Sequence, residues 1–121
     1  MSFSSFAQEK PSKLKKKALL YERYGDVYAA IENYEKYIQQ SPNRPYTSFH
    51  LAQLYERIRD YEKAKEYYKI AYDLKPKKYA KSLFHYGVML KMNGEYELAK
   101  ETLTKARKKL KGKGENALYR K

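Results

Sequence analysis

Between residues 61 and 74 the apolar and aromatic positions Tyr61, Ala64, Tyr68, Ala71 and Leu74 recur at steps of three and four, with charged residues between them. This is the period of one helix face, and Pro76 ends the run. Just upstream, Phe49, Leu51, Ala52, Leu54 and Tyr55 populate the apolar positions of a helix predicted over about residues 47–58. The stretch "IRDY" between the two reads as a turn. The pattern therefore predicts a helical hairpin.

That hairpin repeats. "GDVYAAIENYEKYIQQSP" (residues 25–42) lies on "RDYEKAKEYYKIAYDLKP" (residues 59–76), with Asp26 on Asp60, Ala30 on Ala64, Tyr34 on Tyr68 and Pro42 on Pro76, every offset being 34. A third copy, "GEYELAKETLTKARKKLK", follows at offset 35, with Tyr61, Ala64 and Ala71 matched by Tyr96, Ala99 and Ala106. One extra residue near "KPKKYA" accounts for the change. Gly25 and Gly94 fall at the inter-helix turns, where positive φ suits glycine; Arg59 stands there in the second copy and predicts a strained turn. Ala30, Ala64 and Ala99 fall where the helices of a hairpin approach closely. Tyr21, Tyr34, Tyr55, Tyr61, Tyr68 and Tyr96 are expected to fill the wider gaps, with their hydroxyls reaching water.

A 34-residue helix-turn-helix with Gly/Ala, Tyr, Ala, Tyr, Ala and Pro at these steps resembles the tetratricopeptide repeat. The resemblance covers nearly the whole chain as three repeats, residues 11–44, 45–78 and 80–113. Departures are Tyr37 in place of the favoured alanine, Lys111 in place of proline, and Leu14, Ser48 and Leu83 at the usual large position of the first helix. The resemblance implies an all-α fold, a right-handed superhelical stack of three hairpins in which each contacts its neighbours. It also implies a concave groove, lined by the first helix of each hairpin, that binds extended peptides or partner helices.

Carried onto this chain, the groove positions are Lys15, Lys16, Leu19 and Arg23 in the first repeat, beside Ser12 and Glu22. The second repeat supplies Tyr46, Phe49, His50, Gln53 and Arg57, beside Glu56. The third supplies Lys81, Phe84, His85, Val88 and Lys91, beside Met92. Two Phe-His pairs, Phe49-His50 and Phe84-His85, thus occupy the same repeat positions and contain the only two histidines. Their phenylalanines either face the groove or fold into packing between repeats. The groove chemistry suits an extended peptide with apolar side chains and a carboxylate or acidic neighbours. Chaperone co-factors of this family clamp a terminal carboxylate with Lys, Asn, Asn, Lys and Arg. The matching positions are Lys15, Leu19, His50, Lys81 and His85, of which only Lys15 and Lys81 agree, and Leu19 cannot hydrogen-bond. Imidazoles flanked by lysines are expected to stay neutral near pH 7 and charge in acid, making the groove pH-sensitive.

Composition sharpens this reading. The chain has 121 residues, no cysteine and a formal charge of +13. Disulfides, thiolate nucleophiles and cysteine metal sites are therefore excluded, and His50 with His85 lacks companions at ligand spacing. No cofactor is expected. No GxSxG elbow, phosphate-cradling glycine loop or HExxH occurs, and Glu62 and Glu66 alternate with Lys63 and Lys65 as on a solvated helix face, so no enzyme is expected. The charge is uneven: residues 10–17 hold five lysines and no acid, residues 105–113 hold six basic residues and no acid, and residues 18–104 hold 14 basic and 12 acidic residues. Nucleic acid or another anionic surface at these ends is the rival partner class. The groove's middle lacks a continuous basic stripe, so a protein or peptide is the expected ligand.

Residues 1–10 read as a flexible tail. The start is not an intact signal peptide, no run is long enough to span a membrane, and "SFSSFAQ" resembles the end of an export signal. The Tyr/Lys-rich first repeat resembles the N-terminal repeat region of exported OmpA-like proteins of type IX secretion and gliding systems. That implies a periplasmic, outer-membrane-associated docking module; a cytoplasmic adaptor is the alternative. Residues 114–121 read as the start of a capping helix, which implies either a longer protein or self-association through uncapped repeat ends.

Overall fold

The computed structural model describes residues 9–111, all helical or in short connections. Residues 1–8 and 112–121, on which the export-signal and capping-helix expectations fall, lie outside the described residues. Six helices follow in order: α1 (Pro11–Arg23), α2 (Val27–Gln40), α3 (Pro45–Arg57), α4 (Tyr61–Leu74), α5 (Ala80–Met92) and α6 (Tyr96–Lys111). They pair as three hairpins, and the described residues contain no strand. The fold is an all-α helical repeat. It divides into two compact units, the first ending at Asn43 and the second beginning at Arg44.

Helix starts follow local chemistry. Pro11 and Pro45 open α1 and α3, where a missing N–H costs nothing. α3 therefore begins two residues before the position that periodicity alone marks. Asp26 and Asp60 cap α2 and α4, each accepting a 3.1 Å bond from the backbone N–H three residues on, at Ala29 and Lys63. The three turns share one geometry. Gly25, Arg59 and Gly94 take φ values of 86°, 65° and 82°. In each, the next residue's N–H reaches back to the carbonyl five residues earlier at 2.9 Å: Asp26 to Tyr21, Asp60 to Tyr55 and Glu95 to Leu90. Arg59 thus occupies the left-handed region that its repeat position predicted.

In the first unit, α1 and α2 bury Leu14 and Ala18 against Ala30, Ile31 and Tyr34. The Tyr34 hydroxyl donates to Glu22 at 3.1 Å. Tyr21 stays 37 % exposed instead of filling a gap. Its counterpart Tyr55 stacks on Tyr67 at 5.8 Å, whereas the position matching Tyr67 in α2 holds Asn33, whose amide turns back to the Ala29 carbonyl.

In the second unit α5 packs on both α4 and α6. Ala64, Ala71, Ala99 and Ala106 are buried where helices approach. The buried Ser82 hydroxyl donates to the Tyr68 carbonyl at 2.7 Å, and Asn93 donates to the Tyr61 carbonyl at 3.1 Å. Lys65 bridges Glu95 at 2.6 Å and Glu62 at 3.0 Å, which holds its ammonium above the ordinary lysine range. These bonds fasten the third hairpin onto the second. The expectation that Tyr96 fills a gap is corrected: it is 67 % exposed, because no described element packs over it. The expectation that tyrosine hydroxyls reach water is corrected too. Tyr68, fully buried, donates to Glu56 at 2.7 Å, repeating the Tyr34–Glu22 bond.

The third hairpin replaces that polar pair. Lys91 and Leu103 stand at its two positions, and Leu103 lies over Gly87. A Cβ at residue 87 would sit 2.6 Å from Leu103 Cδ2 and 2.8 Å from Cγ. The corresponding residues Ala18 and Ala52 are buried alanines. Glycine at 87 is thus the condition for a leucine at 103. Gly87→Val is expected to destabilise the protein by about 1–3 kcal/mol through overpacking, and Leu103→Ala in the same chain should recover part of the loss. Urea denaturation of the three proteins measures both.

Candidate functional site

In the second unit the face bounded by α3 and α5 is built around one aromatic cluster. The insertion that lengthens the repeat spacing to 35 places Tyr79 in the α4–α5 connection, and its ring packs 5.7 Å from Phe49. Phe49 also meets Tyr68 edge-on at 5.6 Å and His85 at 6.0 Å. His85 stacks on Tyr68, with centroids 5.0 Å apart and planes 15° from parallel. Phe84 meets His85 edge-on at 5.7 Å and packs against Tyr72, Leu83 and Ala106.

Each histidine has a stacking partner of its own. His50 stacks along its own helix on Tyr46 at 6.1 Å, whereas His85 stacks across to α4. Four residues upstream, α3 offers Tyr46 and α5 offers Lys81. Both phenylalanines are half-buried. Phe49 is bracketed by two hairpins, and Phe84 leans into the core beside α6.

Around this cluster, Tyr46, Gln53 and Arg57 of α3 and Lys81 and Lys91 of α5 are exposed, and Val88 is half-buried. Tyr46 is 62 % exposed and Met92 52 %. In the first unit Lys16, Leu19 and Arg23 are exposed, and Lys15 is half-buried with its ammonium 5.8 Å from the centre of the Tyr37 ring. Tyr68 and Tyr79 are contributors that the repeat pattern assigned to packing or passed over. The extra residue near "KPKKYA" was the only sign of Tyr79.

Electrostatics single out His85. Burial pushes its imidazole below the usual histidine range; Glu56 opposes the shift and Lys81 adds to it. Burial and the bond to Glu56 raise the Tyr68 phenol far above its ordinary value, so it stays a neutral donor. Among the described residues, no group of three or more His, Asp or Glu is placed to hold a metal ion, and no helix is long and apolar enough to cross a membrane.

Residues 46–78 match the tetratricopeptide repeat family. That segment is a tetratricopeptide repeat, and the chain has the fold of a tetratricopeptide-repeat domain. A search of curated proteins found no match. Among solved structures, the crystal structure of MamA matches with a TM-score of 0.72 and 18% identity over 93% of this chain, which spans 59% of that one. The second such domain of Spaghetti (RPAP3), bound to the HSP90 peptide SRMEEVD, matches with a TM-score of 0.65 and 20% identity, covering 85% of this chain and 94% of that one. The Sgt2 domain from Aspergillus fumigatus matches with a TM-score of 0.64 and 25% identity, covering 82% and 65%.

His85 also makes a stability prediction. Its folded pKa lies below its unfolded one, so the unfolded chain takes up the proton first as pH falls. Its contribution is fully present above the unfolded histidine value, about 6.5, and is lost as pH drops below it toward the folded value. His85→Gln should flatten the difference between urea midpoints measured at about pH 7.5 and 5.5. An unchanged pH dependence would remove His85 from this role.

Proposed function

We propose that the chain is a non-enzymatic protein-interaction scaffold whose α3–α5 face binds an extended peptide or partner segment. One observation carries the reading: two large apolar side chains, Tyr46 and Met92, stand more than half exposed on this face, with half-buried Phe49, His85 and Phe84 in its aromatic cluster. An exposed aromatic ring supplies contact area at low entropic cost, and an exposed thioether adapts to irregular ligand surfaces. Lys81 and Lys91 add positive charge for an acidic or carboxylate-bearing ligand.

The fold relative Spaghetti holds an acidic peptide, which supports peptide binding as the class of function. The terminal-carboxylate clamp is not proposed for this chain. Leu19 has no polar group, and His85 is packed on Tyr68 with depressed basicity.

The test is selection of peptides from a random library on the purified protein, followed by fluorescence anisotropy of the winners. Tyr46→Ala is expected to weaken them about tenfold, as for loss of an aromatic anchor, and Lys81→Glu to weaken the acidic ones by a similar factor. The peptide SRMEEVD should bind no better than its scrambled sequence. Selected peptides held equally by wild type and both variants would remove this face from the function.

A further inference from the structure

Two acid-free stretches, remote in sequence, meet in the second unit. Residues 75–78 contain three lysines, and residues 105–111 contain four lysines and one arginine; all eight side chains are exposed. Along the chain the first stretch belongs to the nearly neutral residues 18–104. In the structure Lys77, from the α4–α5 connection, and Lys109, from α6, line one open cleft of about 160 Å³ floored by Pro76 and Ala80. We infer that this cationic cleft, separate from the α3–α5 face, is a docking surface for a short acidic segment of a partner protein.

Helix electrostatics explain only part of the charge. Lys108, Lys109 and Lys111 complement the negative end of α6. Lys77 and Lys78 lie between the negative end of α4 and the positive end of α5, where the two dipoles offset each other and do not account for them. α4 and α6 place Glu62 and Glu97 in their first turns, while α5 places no acid there. The mutual repulsion of lysines gathered at one cleft is what a ligand carrying negative charge would offset.

Size and shape select the occupant. Residues 105–111 extend only about 10 Å along the α6 axis at 1.5 Å per residue. At the next cleft along α6, Asp73 and Glu101 face Lys69 and Lys105 and end the cationic surface. An extended chain crosses about 10 Å with roughly three residues, so three or four consecutive carboxylates match it. A nucleic-acid duplex gains affinity from many phosphates along a longer track, and among the described residues no aromatic ring lines the cleft to stack a base. Among the described residues no large apolar side chain lines it for insertion into lipid. Lysine, a mobile point charge, suits irregularly placed carboxylates better than the paired oxygens that arginine grips.

The experiment is fluorescence anisotropy on the full chain at about 50 mM salt, using a fluorescein-labelled Gly-Ser peptide with four consecutive Asp/Glu residues. The same chain is offered a duplex of about 12 base pairs and vesicles containing anionic lipid. Lys77→Glu/Lys109→Glu should weaken peptide binding at least about tenfold, and Lys77→Gln/Lys109→Gln should fall between. The surface control Lys36→Glu/Lys63→Glu should change it less than about twofold. Tyr46→Ala should leave it unchanged, which separates this cleft from the α3–α5 face. Equal loss in the surface control, no loss in Lys77→Glu/Lys109→Glu, loss in Tyr46→Ala, or tighter binding of the duplex or vesicles would each overturn the inference.

Discussion

Two helices of a hairpin can lie close only where the side chains between them are small. In this protein that constraint is met by Ala18 and Ala30, by Ala52 and Ala64, and by Gly87 and Ala99, all buried. Individual helices of 13 to 16 residues are marginal in water. Their stability comes from the packed faces that this approach creates. Where alanine sets the spacing, a tyrosine reaches over the partner helix to a carboxylate, as in Tyr34–Glu22 and Tyr68–Glu56. Where glycine sets it, a leucine fills the space and the polar pair disappears.

That exchange propagates to the aromatic cluster. Tyr68, anchored by Glu56 on α3, presents its ring to α5, and His85 stacks there. Phe49 closes the other side, and Tyr79, carried by the one inserted residue, completes the cluster. A half-buried imidazole between aromatic rings loses solvation, so its charged form is disfavoured. For His85, the shift in basicity that underlies the expected pH-sensitive behaviour is chiefly an effect of burial.

Charge is organised on a different principle from the core. The acids Glu62, Glu95 and Glu97 gather with Lys65 near the α3–α4 and α5–α6 turns, where Lys65 ties two hairpins together. The lysines of the α4–α5 connection and of the end of α6 collect at the opposite ends of the same helices. Antiparallel helices make this segregation inevitable once charge is uneven along each one.

Repeat period, helix spans and turns were legible in the sequence because they depend on local chemistry. The three-and-four spacing, Pro11 and Pro45, Asp26 and Asp60, and the left-handed turn residues each act within a few positions. Even the strained Arg59 was visible, since its repeat position demanded positive φ. The fate of the Phe-His pairs was not legible. The rings that meet Phe49 and His85, those of Tyr68 and Tyr79, arrive from other elements. The joining of two lysine stretches at one cleft was equally hidden, since residues 77 and 109 become neighbours only when α5 and α6 fold back. The sequence by itself determined the helices and their pairing, whose forces are short-range along the chain. The tertiary structure alone decided which aromatic rings pack, which stay exposed and where charge concentrates, because those outcomes depend on residues brought together from distant turns.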